Sequence, residues 1–461
     1  MNAPARIVRS RGLSLIELMI AITLGMLIVA ALVALYINVT RTDSEMAKAN
    51  RQIENGRFAI QLLQDDVEHA GFWGAYVPQF DDLTTVTAPL DAPKALPDPC
   101  LAYSSANWDG NYLSDIIGIP VQGDAGTCAG AGGVIANQQA NTDVLVVRHA
   151  MNCVAGVGNC EADTKDKLYF QSSLCETEIG GLAQGGTDDT ITLDAGASST
   201  DDYYKGVQIR IIYGTGVGQS ATITAYNGTT KVASIAPATW GIKPINDSVY
   251  AIGLGYVLGI SDGTPDGPPF IFHQRGNNCA LPAVKRKFVS NLYYIRDYAV
   301  TAGDGIPTLM QSTFDLSGTT LAQQPAQALI EGIEGFRVMY GIDSLSKGGT
   351  AEDYTKAVAW TDPYNKVTPT NRGDGVAEGA YLKASGVTCT GANTCPAANV
   401  VAVRIYVLAR NLEPTAGYTD KKTYVLGDPS YTMGPFNDHF KRHVYSTTVR
   451  LVNPSSRRDT P

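Results

Sequence analysis

The residue with the clearest chemical role is Glu17, a carboxylate near the start of a long apolar segment. That segment runs from Leu13 to Ile37 and reads LSLIELMIAITLGMLIVAALVALYI, with Glu17 as its only charged residue. A carboxylate inside an apolar span is energetically costly, and its presence there indicates a functional role. Its natural partner is a free α-amino group, which would exist nearby only if the chain were cut just before Leu13. The sequence therefore predicts an ion pair that depends on processing.

The apolar segment is long enough to cross a bilayer with some tilt. Three arginines precede it, Arg6, Arg9 and Arg11, and no acidic residue occurs before Glu17. This asymmetry predicts that the leader stays in the cytoplasm while the rest of the chain is exported. An ordinary secretory signal would instead have a shorter apolar region followed by a small-residue cleavage site and a polar start.

A second apolar pattern follows the span and predicts that its helix continues. Apolar or small residues recur at intervals of three and four, which gives one stripe on a helix: Met46, Ala49, Ile53, Gly56, Ile60, Leu63, Val67 and Ala70. Gly71 suits the end of a helix, and no proline interrupts residues 13–76. We expect one helix over residues 13–70, about 87 Å long at roughly 1.5 Å per residue. Residues 13–37 would lie in the membrane, and the amphipathic residues 38–71 would lead into a globular domain.

Cysteines offer a second possible chemistry. The chain has eight: Cys100, Cys128, Cys153, Cys160, Cys175, Cys279, Cys389 and Cys395. None forms a Cys-x-x-Cys pair and no histidine stands at zinc-knuckle spacing, so disulfides in an oxidising compartment are favoured over a metal site. The short loops Cys153–Cys160 and Cys389–Cys395 are the best candidate pairs. The sequence leaves the other pairings open, and unpaired buried thiols are the alternative.

The remaining residue patterns give no catalytic constellation, so we expect no enzyme and no cofactor. No GxxxxGK[ST] phosphate loop occurs. His439 and His443 have i,i+4 spacing, but a solvated pair is favoured over a metal site. Residues 262–267 carry two aspartates near a turn, and a plain Asp-Gly turn is favoured over calcium.

Composition favours strands and excludes some partners. Only 17% of residues are charged, there are 47 glycines, and 23 tyrosines stand against 11 phenylalanines. Such a composition favours many short strands and turns. The formal net charge of −9 argues against a nucleic-acid partner. The basic run at 285–287 is better explained as a solvated strand start.

The string GLSLIELM at residues 12–19 resembles the class III leader of type IV pilins and pseudopilins. In that family a membrane peptidase cuts after the glycine and methylates the new N-terminal residue. The resemblance implies cleavage between Gly12 and Leu13, methylation of Leu13, and a role in assembly for Glu17. That carboxylate would neutralise an amine, its own or a neighbouring subunit's, inside a filament core. The family usually has phenylalanine where this chain has Leu13.

Later strings resemble the PilW branch of minor pilins. They are QLLQDDVEHAGFWG, NLYYIRDY, LIEGIEGFRVMYGID, VVAVRIYVLARN and KRHVYSTTVRLVNP, and the resemblance covers roughly the first 170 and last 200 residues. It implies an α+β fold in which a long N-terminal helix packs on an antiparallel sheet. Strands are expected near residues 143–148, 287–300, 335–342, 399–410 and 443–452, with a helical turn or sheet edge near 326–336.

One stretch, residues 180–252, does not fit that core. It is rich in Thr, Gly and Asn, and Asn227-Gly228 predicts a hairpin turn. Its pattern is similar to small β modules of phage tail and virion proteins. We interpret it as an inserted all-β module, either a receptor- or subunit-binding module or a spacer. The expected units are the leader 1–12, helix segments 13–37 and 38–71, pilin β parts 72–179 and 253–454, the insert, and a flexible tail 455–461.

The resemblance implies a minor pilin that is processed by prepilin peptidase and helps to prime type IV pilus assembly. It would join the tip complex and support adhesion and twitching motility. Its partners would be the other minor pilins, the major pilin, a tip adhesin and the inner-membrane assembly platform. It would be a single-pass inner-membrane protein with a periplasmic domain before it entered the extracellular pilus. The alternatives are a type II secretion pseudopilin, or a pilin-anchored adhesin acting through residues 180–252.

Overall fold

The computed structural model describes residues 12, 14–85, 88–89, 91–104, 106–123, 126–129, 133–174, 179–236, 239–252, 255–263, 274, 276–277 and 281–459. The predicted leader up to residue 11 lies outside the described residues, as does Leu13. Three α-helices occur in the described part: α1 (Leu15–His69), α2 (Gly110–Gly118) and α3 (Val452–Arg458).

Strands account for most of the remaining regular structure. In chain order they are β1 (Val121–Gln122), β2 (Leu145–Ala150), β3 (Leu168–Ser172), β4 (Ile179–Leu182), β5 (Gly185–Gly186), β6 (Thr190–Thr192), β7 (Gln208–Tyr213), β8 (Ser220–Asn227), β9 (Val232–Ala236), β10 (Val249–Ile252), β11 (Tyr256–Ile260), β12 (Lys285–Arg296), β13 (Thr308–Ser317), β14 (Thr320–Gln323), β15 (Gln327–Glu331), β16 (Ile333–Ile342), β17 (Ala359–Asp362), β18 (Val367–Thr370), β19 (Glu378–Lys383), β20 (Val400–Arg410), β21 (Tyr424–Val425), β22 (Thr432–Met433) and β23 (Arg442–Arg450). The strands predicted from sequence correspond to β2, β12, β16, β20 and β23.

The strands form three main antiparallel sheets. The first has eight strands: β1-β2-β12-β13-β14 in one path, with β3 and β15 joining it and β11 beside β3. The second has the order β19-β16-β20-β23, and the third, which comprises the insert, has the order β4-β10-β7-β8-β9-β6-β5. The chain therefore has the α+β architecture expected from its sequence, with an additional β module.

Helix α1 covers 55 residues and divides into two environments. The side chains of its first half are largely exposed; Met26, for example, is 70% exposed. The second half buries one face on β20 and β23, through Gln52, Gly56, Ala59, Leu63 and Val67. One helix thus joins an uncovered apolar segment to a packed domain.

Gly56 sets how closely α1 approaches the sheet. A Cβ atom added at this residue would overlap the ring of Tyr445 on β23. Glycine is unfavourable in a helix interior, by about 1 kcal/mol relative to alanine. Close packing between helix and strand accounts for its presence here.

Two interpretations of the sequence change with the structure. Residues 327–331 form strand β15, which pairs with β13, so the sheet-edge alternative applies rather than the helical turn. The expected flexible tail from residue 455 is wrong for residues 455–458, because they belong to α3 and bury Ser455 and Arg458. The local sequence is polar, but buried acidic groups from distant parts of the chain hold it in place.

We predict that Gly56→Ala lowers the stability of the globular domain by about 1–3 kcal/mol, since overpacking against Tyr445 exceeds the gain in helix propensity. Thermal unfolding of the purified chain, followed by circular dichroism, measures the change. Gly25→Ala is the matched control, because an added Cβ meets no atom within 4 Å there. Equal melting temperatures for Gly56→Ala and the wild type would contradict this packing argument.

Candidate functional site: the long helix and its attachment

Glu17 lies in the first turn of α1 and closes a capping box. Its Oε2 accepts a hydrogen bond from the Ser14 backbone N–H at 3.0 Å, and the Ser14 Oγ accepts from the Ile16 N–H at 3.3 Å. The carboxylate therefore points back toward the amide that directly follows residue 13. The ion pair between this carboxylate and an amine of Leu13 stays a prediction, since Leu13 lies outside the described residues.

The segment that carries Glu17 is the one helix in the described residues long and apolar enough to cross a membrane. None of its most apolar window is buried against the rest of the chain. Large apolar side chains are exposed along the helix from Leu15 to Val39, where the globular domain does not cover them. Such a surface requires a cover of lipid or of other apolar helices.

Polar side chains attach the second half of α1 to the first and second sheets. Gln52 Nε2 donates to the carbonyls of Ala409 and Lys441 at 2.8 and 3.1 Å. Asn55 Nδ2 donates to the Glu331 carbonyl at 2.9 Å. These bonds fix the axial position of the helix, since each joins a specific turn of α1 to a specific strand.

Asp66 provides a third attachment, near the end of α1. Its carboxylate accepts hydrogen bonds from Asn291 Nδ2 at 3.0 and 3.1 Å and from the Tyr293 hydroxyl at 3.0 Å. The His149 Nε2 lies 3.1 Å from the same carboxylate. Burial raises the pKa of the Tyr293 hydroxyl, and the negative charge of Asp66 raises it further. The tyrosine therefore remains a hydrogen-bond donor, and the central strand β12 is fixed to the helix.

Helix α3 caps the end of α1. Asn453 Nδ2 donates to the Ala70 carbonyl at 3.0 Å, and Arg457 Nη2 donates to the Gly71 carbonyl at 2.6 Å. The last carbonyls of a helix have no partner within it, so these side chains satisfy groups that would otherwise be unpaired. We call residues 452–459 the C-terminal clasp.

Arg458 holds the clasp in place from within. Its Nε donates to Asp81 Oδ1 at 2.8 Å, and its Nη1 lies 3.4 Å from Asp343 and 3.5 Å from Glu352. Burial raises the pKa of Asp343 to about 6 and that of Glu352 to about 8, although the positive charge of Arg458 opposes both rises. The arginine therefore sits among more acidic groups than its single charge neutralises, and protonation relieves the excess.

A second buried cation, Arg442, fixes the start of β23. It contacts three carboxylates: Glu334 at 2.5 Å, Asp420 at 2.9 Å and Asp438 at 2.6 Å. Removing either side of such a network would leave an uncompensated buried charge. Strand β23, on which α1 packs, is thus held in place at its first residue.

The structure pairs Cys153 with Cys160 and Cys389 with Cys395, the two local pairs expected from sequence. It also pairs Cys100 with Cys128, which the sequence left open. Cys175 and Cys279 lie outside the described residues. Each of the three described disulfides closes a loop of the globular domain.

Among the residues that the structure describes, the two histidines of the candidate pair have separate contacts. His439 Nδ1 contacts the Tyr418 carbonyl, and the His443 ring packs edge-on against Tyr445 with centroids 4.8 Å apart. Of the described residues, one acidic group, Asp343, Asp374 and Glu378, has a spacing that a metal ion could use. His273 and most of residues 262–267 lie outside the described residues.

The string Gly259-Ile260-Ser261-Asp262-Gly263 has the Gly-x-Ser-x-Gly spacing of a hydrolase nucleophile. Ser261 is 1% exposed and directly follows strand β11. Its Oγ accepts a hydrogen bond from Lys285 Nζ at 3.2 Å. The Ser261 hydroxyl is therefore buried and hydrogen-bonded, whereas a hydrolase nucleophile has an exposed hydroxyl.

Residues 292–453 match the family model described as type IV pilus-assembly protein W. The chain is PilW-like. The match covers about a third of the chain and includes strands β20 and β23, on which α1 packs, together with the start of the C-terminal clasp. The PilW-like region is therefore the part that holds the long helix.

No curated protein matches the chain. Among solved structures it is similar to a type IV-like pilin from Thermus thermophilus, with 19% identity over 36% of this chain and 68% of that one, and a TM-score of 0.18.

We predict that this PilW-like chain loses less stability between pH 5 and pH 8 when it carries Glu352→Gln. Folded Glu352 keeps its proton up to about pH 8, whereas in the unfolded chain a glutamate releases it near pH 4.3 or so. Stability is therefore lost as the pH rises through this window. Melting temperatures at both pH values test this, with the exposed Glu331→Gln as control. The same pH dependence in Glu352→Gln and wild type would contradict the prediction.

Proposed function

We propose that the chain is a minor pilin that is cut between Gly12 and Leu13, methylated at Leu13, and incorporated into a type IV pilus. The observation that carries this proposal is one continuous helix with two different surroundings. Its first half is apolar, uncovered and marked by Glu17, and its second half is fixed to the strands of the PilW-like region. Only a membrane, and later a bundle of like helices, would cover the first half.

Glu17 supports incorporation by an electrostatic argument. In a low-dielectric filament core, an ion pair between this carboxylate and the α-amine of residue 13 is far stronger than at a surface. A buried ion pair also selects one axial register, because every displaced register leaves a charge unpaired. The pair would therefore decide where each subunit stops along its neighbours.

The finer role follows from this placement. As a minor pilin the chain would help to prime assembly and occupy the tip complex, with a tip adhesin, the other minor pilins and the major pilin as partners. Prepilin peptidase and the inner-membrane platform would act on it earlier, while its globular domain is periplasmic. The PilW-like match favours the pilus over a type II secretion system, whose pseudopilins share the leader.

We predict that Glu17→Ala reaches the membrane and folds but is depleted at least about tenfold from sheared filaments, since one lost ion pair of about 1.4 kcal/mol already gives that factor. Immunoblots of sheared filaments and membranes from the same cells measure the ratio. The control is Glu54→Ala, which removes an exposed carboxylate from the same helix. Equal incorporation of Glu17→Ala and wild type would contradict the assembly role.

The insert at 180–252 supports a second candidate function, that of a displayed binding module. It has its own hydrophobic core, whose buried residues all lie between Ala183 and Ile252. The flanking strands β3 and β11 pair with each other, with Ser172 opposite Tyr256. The module is therefore attached like an extended hairpin loop, and the pilin sheets do not depend on its strands.

We predict that a chain lacking residues 180–252 still folds and enters filaments, since β3 and β11 would close into a hairpin. Adherence of the piliated cells to host surfaces should fall if the module binds a receptor. Filament yield and adherence, measured in parallel, separate the two roles. Unchanged adherence would leave the insert as a spacer, and loss of filaments would make it a part of the assembly machinery.

A further inference from the structure

Strand β23 is an edge strand with an unusually regular free side. It pairs with β20 over nine residues, from Arg442 opposite Arg410 to Arg450 opposite Ala402, with no shift of register. It is the last strand of the order β19-β16-β20-β23, so no strand among the described residues pairs with its other side.

The hydrogen-bond phase shows which backbone groups are free. The Leu451 N–H donates to the Val401 carbonyl, and the Asn411 N–H donates to the Lys441 carbonyl, so odd-numbered residues face β20. In an antiparallel pair the residues between them face away. The outward N–H and C=O groups belong to Val444, Ser446, Thr448 and Arg450, and none of them bonds to any residue that the structure describes.

Proteins usually protect such an edge with a proline, a bulge or a charge. The segment Val444–Val449 has none of these: its sequence is VYSTTV and its register is unbroken. Its hydroxyl and β-branched side chains favour a strand partner. The edge therefore has the properties of an open pairing site.

Helix α1 carries an apolar stripe beside this edge. Met46, Ile53 and Ile60 are seven residues apart and so share one side of the helix; Met46 is 59% and Ile53 43% exposed. On the same side Gln64 Oε1 accepts a hydrogen bond from the Thr447 hydroxyl of β23 at 3.2 Å. One more strand beyond β23 would lie under this stripe and cover it.

Two polar side chains beside this edge lack a partner among the described residues: the Tyr445 hydroxyl has no hydrogen bond, and Arg57 has no ion pair. The Tyr445 hydroxyl is buried and has no hydrogen-bond partner among the described residues. Burial raises its pKa and the positive charge of Arg57 opposes the rise, which places Arg57 beside β23. Arg57 itself is exposed and makes no ion pair within the described part of the chain.

A second copy of the chain does not suit this edge. Antiparallel pairing of two β23 strands about a two-fold axis normal to the sheet would reverse the direction of one α1 helix. Both helices begin in apolar segments that need the same membrane, so they must run parallel. Two β23 strands therefore do not pair with each other in this way.

We infer that the free edge of β23 accepts one extended strand from a different pilus subunit, with apolar side chains toward Met46 and Ile53 and an acidic side chain toward Arg57. This inference rests on the proposed function, since it needs a neighbouring subunit held alongside α1. Main-chain hydrogen bonds would supply affinity, and the α1 stripe would supply selectivity.

Ser446→Pro tests the pairing directly. The N–H of Ser446 faces away from β20, so proline removes an outward donor and leaves the β20 ladder intact. We expect a melting temperature close to that of wild type and a loss of about tenfold or more from sheared filaments, as a missing donor leaves a buried acceptor unpaired. Ser446→Ala, which keeps the N–H, should be incorporated like wild type.

Incorporation of Ser446→Pro at the wild-type level would overturn the inference. If Ser446→Pro fails to fold, Ile53→Glu tests the inference instead. This variant places a negative charge on the exposed stripe, where it would repel an acidic strand. Its control is Gln61→Glu, an exposed residue of α1 outside the stripe. Equal incorporation of these two variants would also overturn the inference. Absence of the wild type itself from filaments would instead contradict the proposed function.

Discussion

The contact between α1 and the strands β20 and β23 is the constraint on which the rest of the structure depends. The apolar half of α1 has no cover in the chain, so its position is determined entirely by how the second half is held. Gly56 allows the helix to approach Tyr445, and Gln52 fixes it along its axis by binding the neighbouring carbonyls of Ala409 and Lys441. The sheet therefore orients a helix that reaches far beyond it.

The C-terminal clasp extends the same logic to the end of α1. The last described helix of the chain satisfies the final carbonyls of the first helix, and Arg458 anchors it among acids from three other segments. The first and last parts of the chain thus stabilise each other. Arg442 plays a similar part for β23, so the strand under α1 is fixed by charge as well as by packing.

Much of this could be predicted from the sequence, and the reasons for the rest are physical. Helix α1 was predictable because its apolar positions recur every three or four residues, and β12, β16, β20 and β23 because they are long runs of strand-forming residues. The C-terminal clasp was not predictable, because NPSSRRD is polar and its burial depends on Asp81, Asp343 and Glu352, which are far away in sequence. The Cys100–Cys128 disulfide was not predictable either, because the two cysteines are 28 residues apart in sequence and spacing alone does not select this pair.

The central claim is that the chain is cut between Gly12 and Leu13 and enters a filament through its long helix. Intact-mass and N-terminal peptide mass spectrometry, on protein from sheared filaments and from membranes, tests it most directly. The account predicts a mature chain that begins at methylated Leu13 and is present in the filament fraction. An uncut chain that begins at Met1 or Asn2 and is confined to the membrane would contradict it.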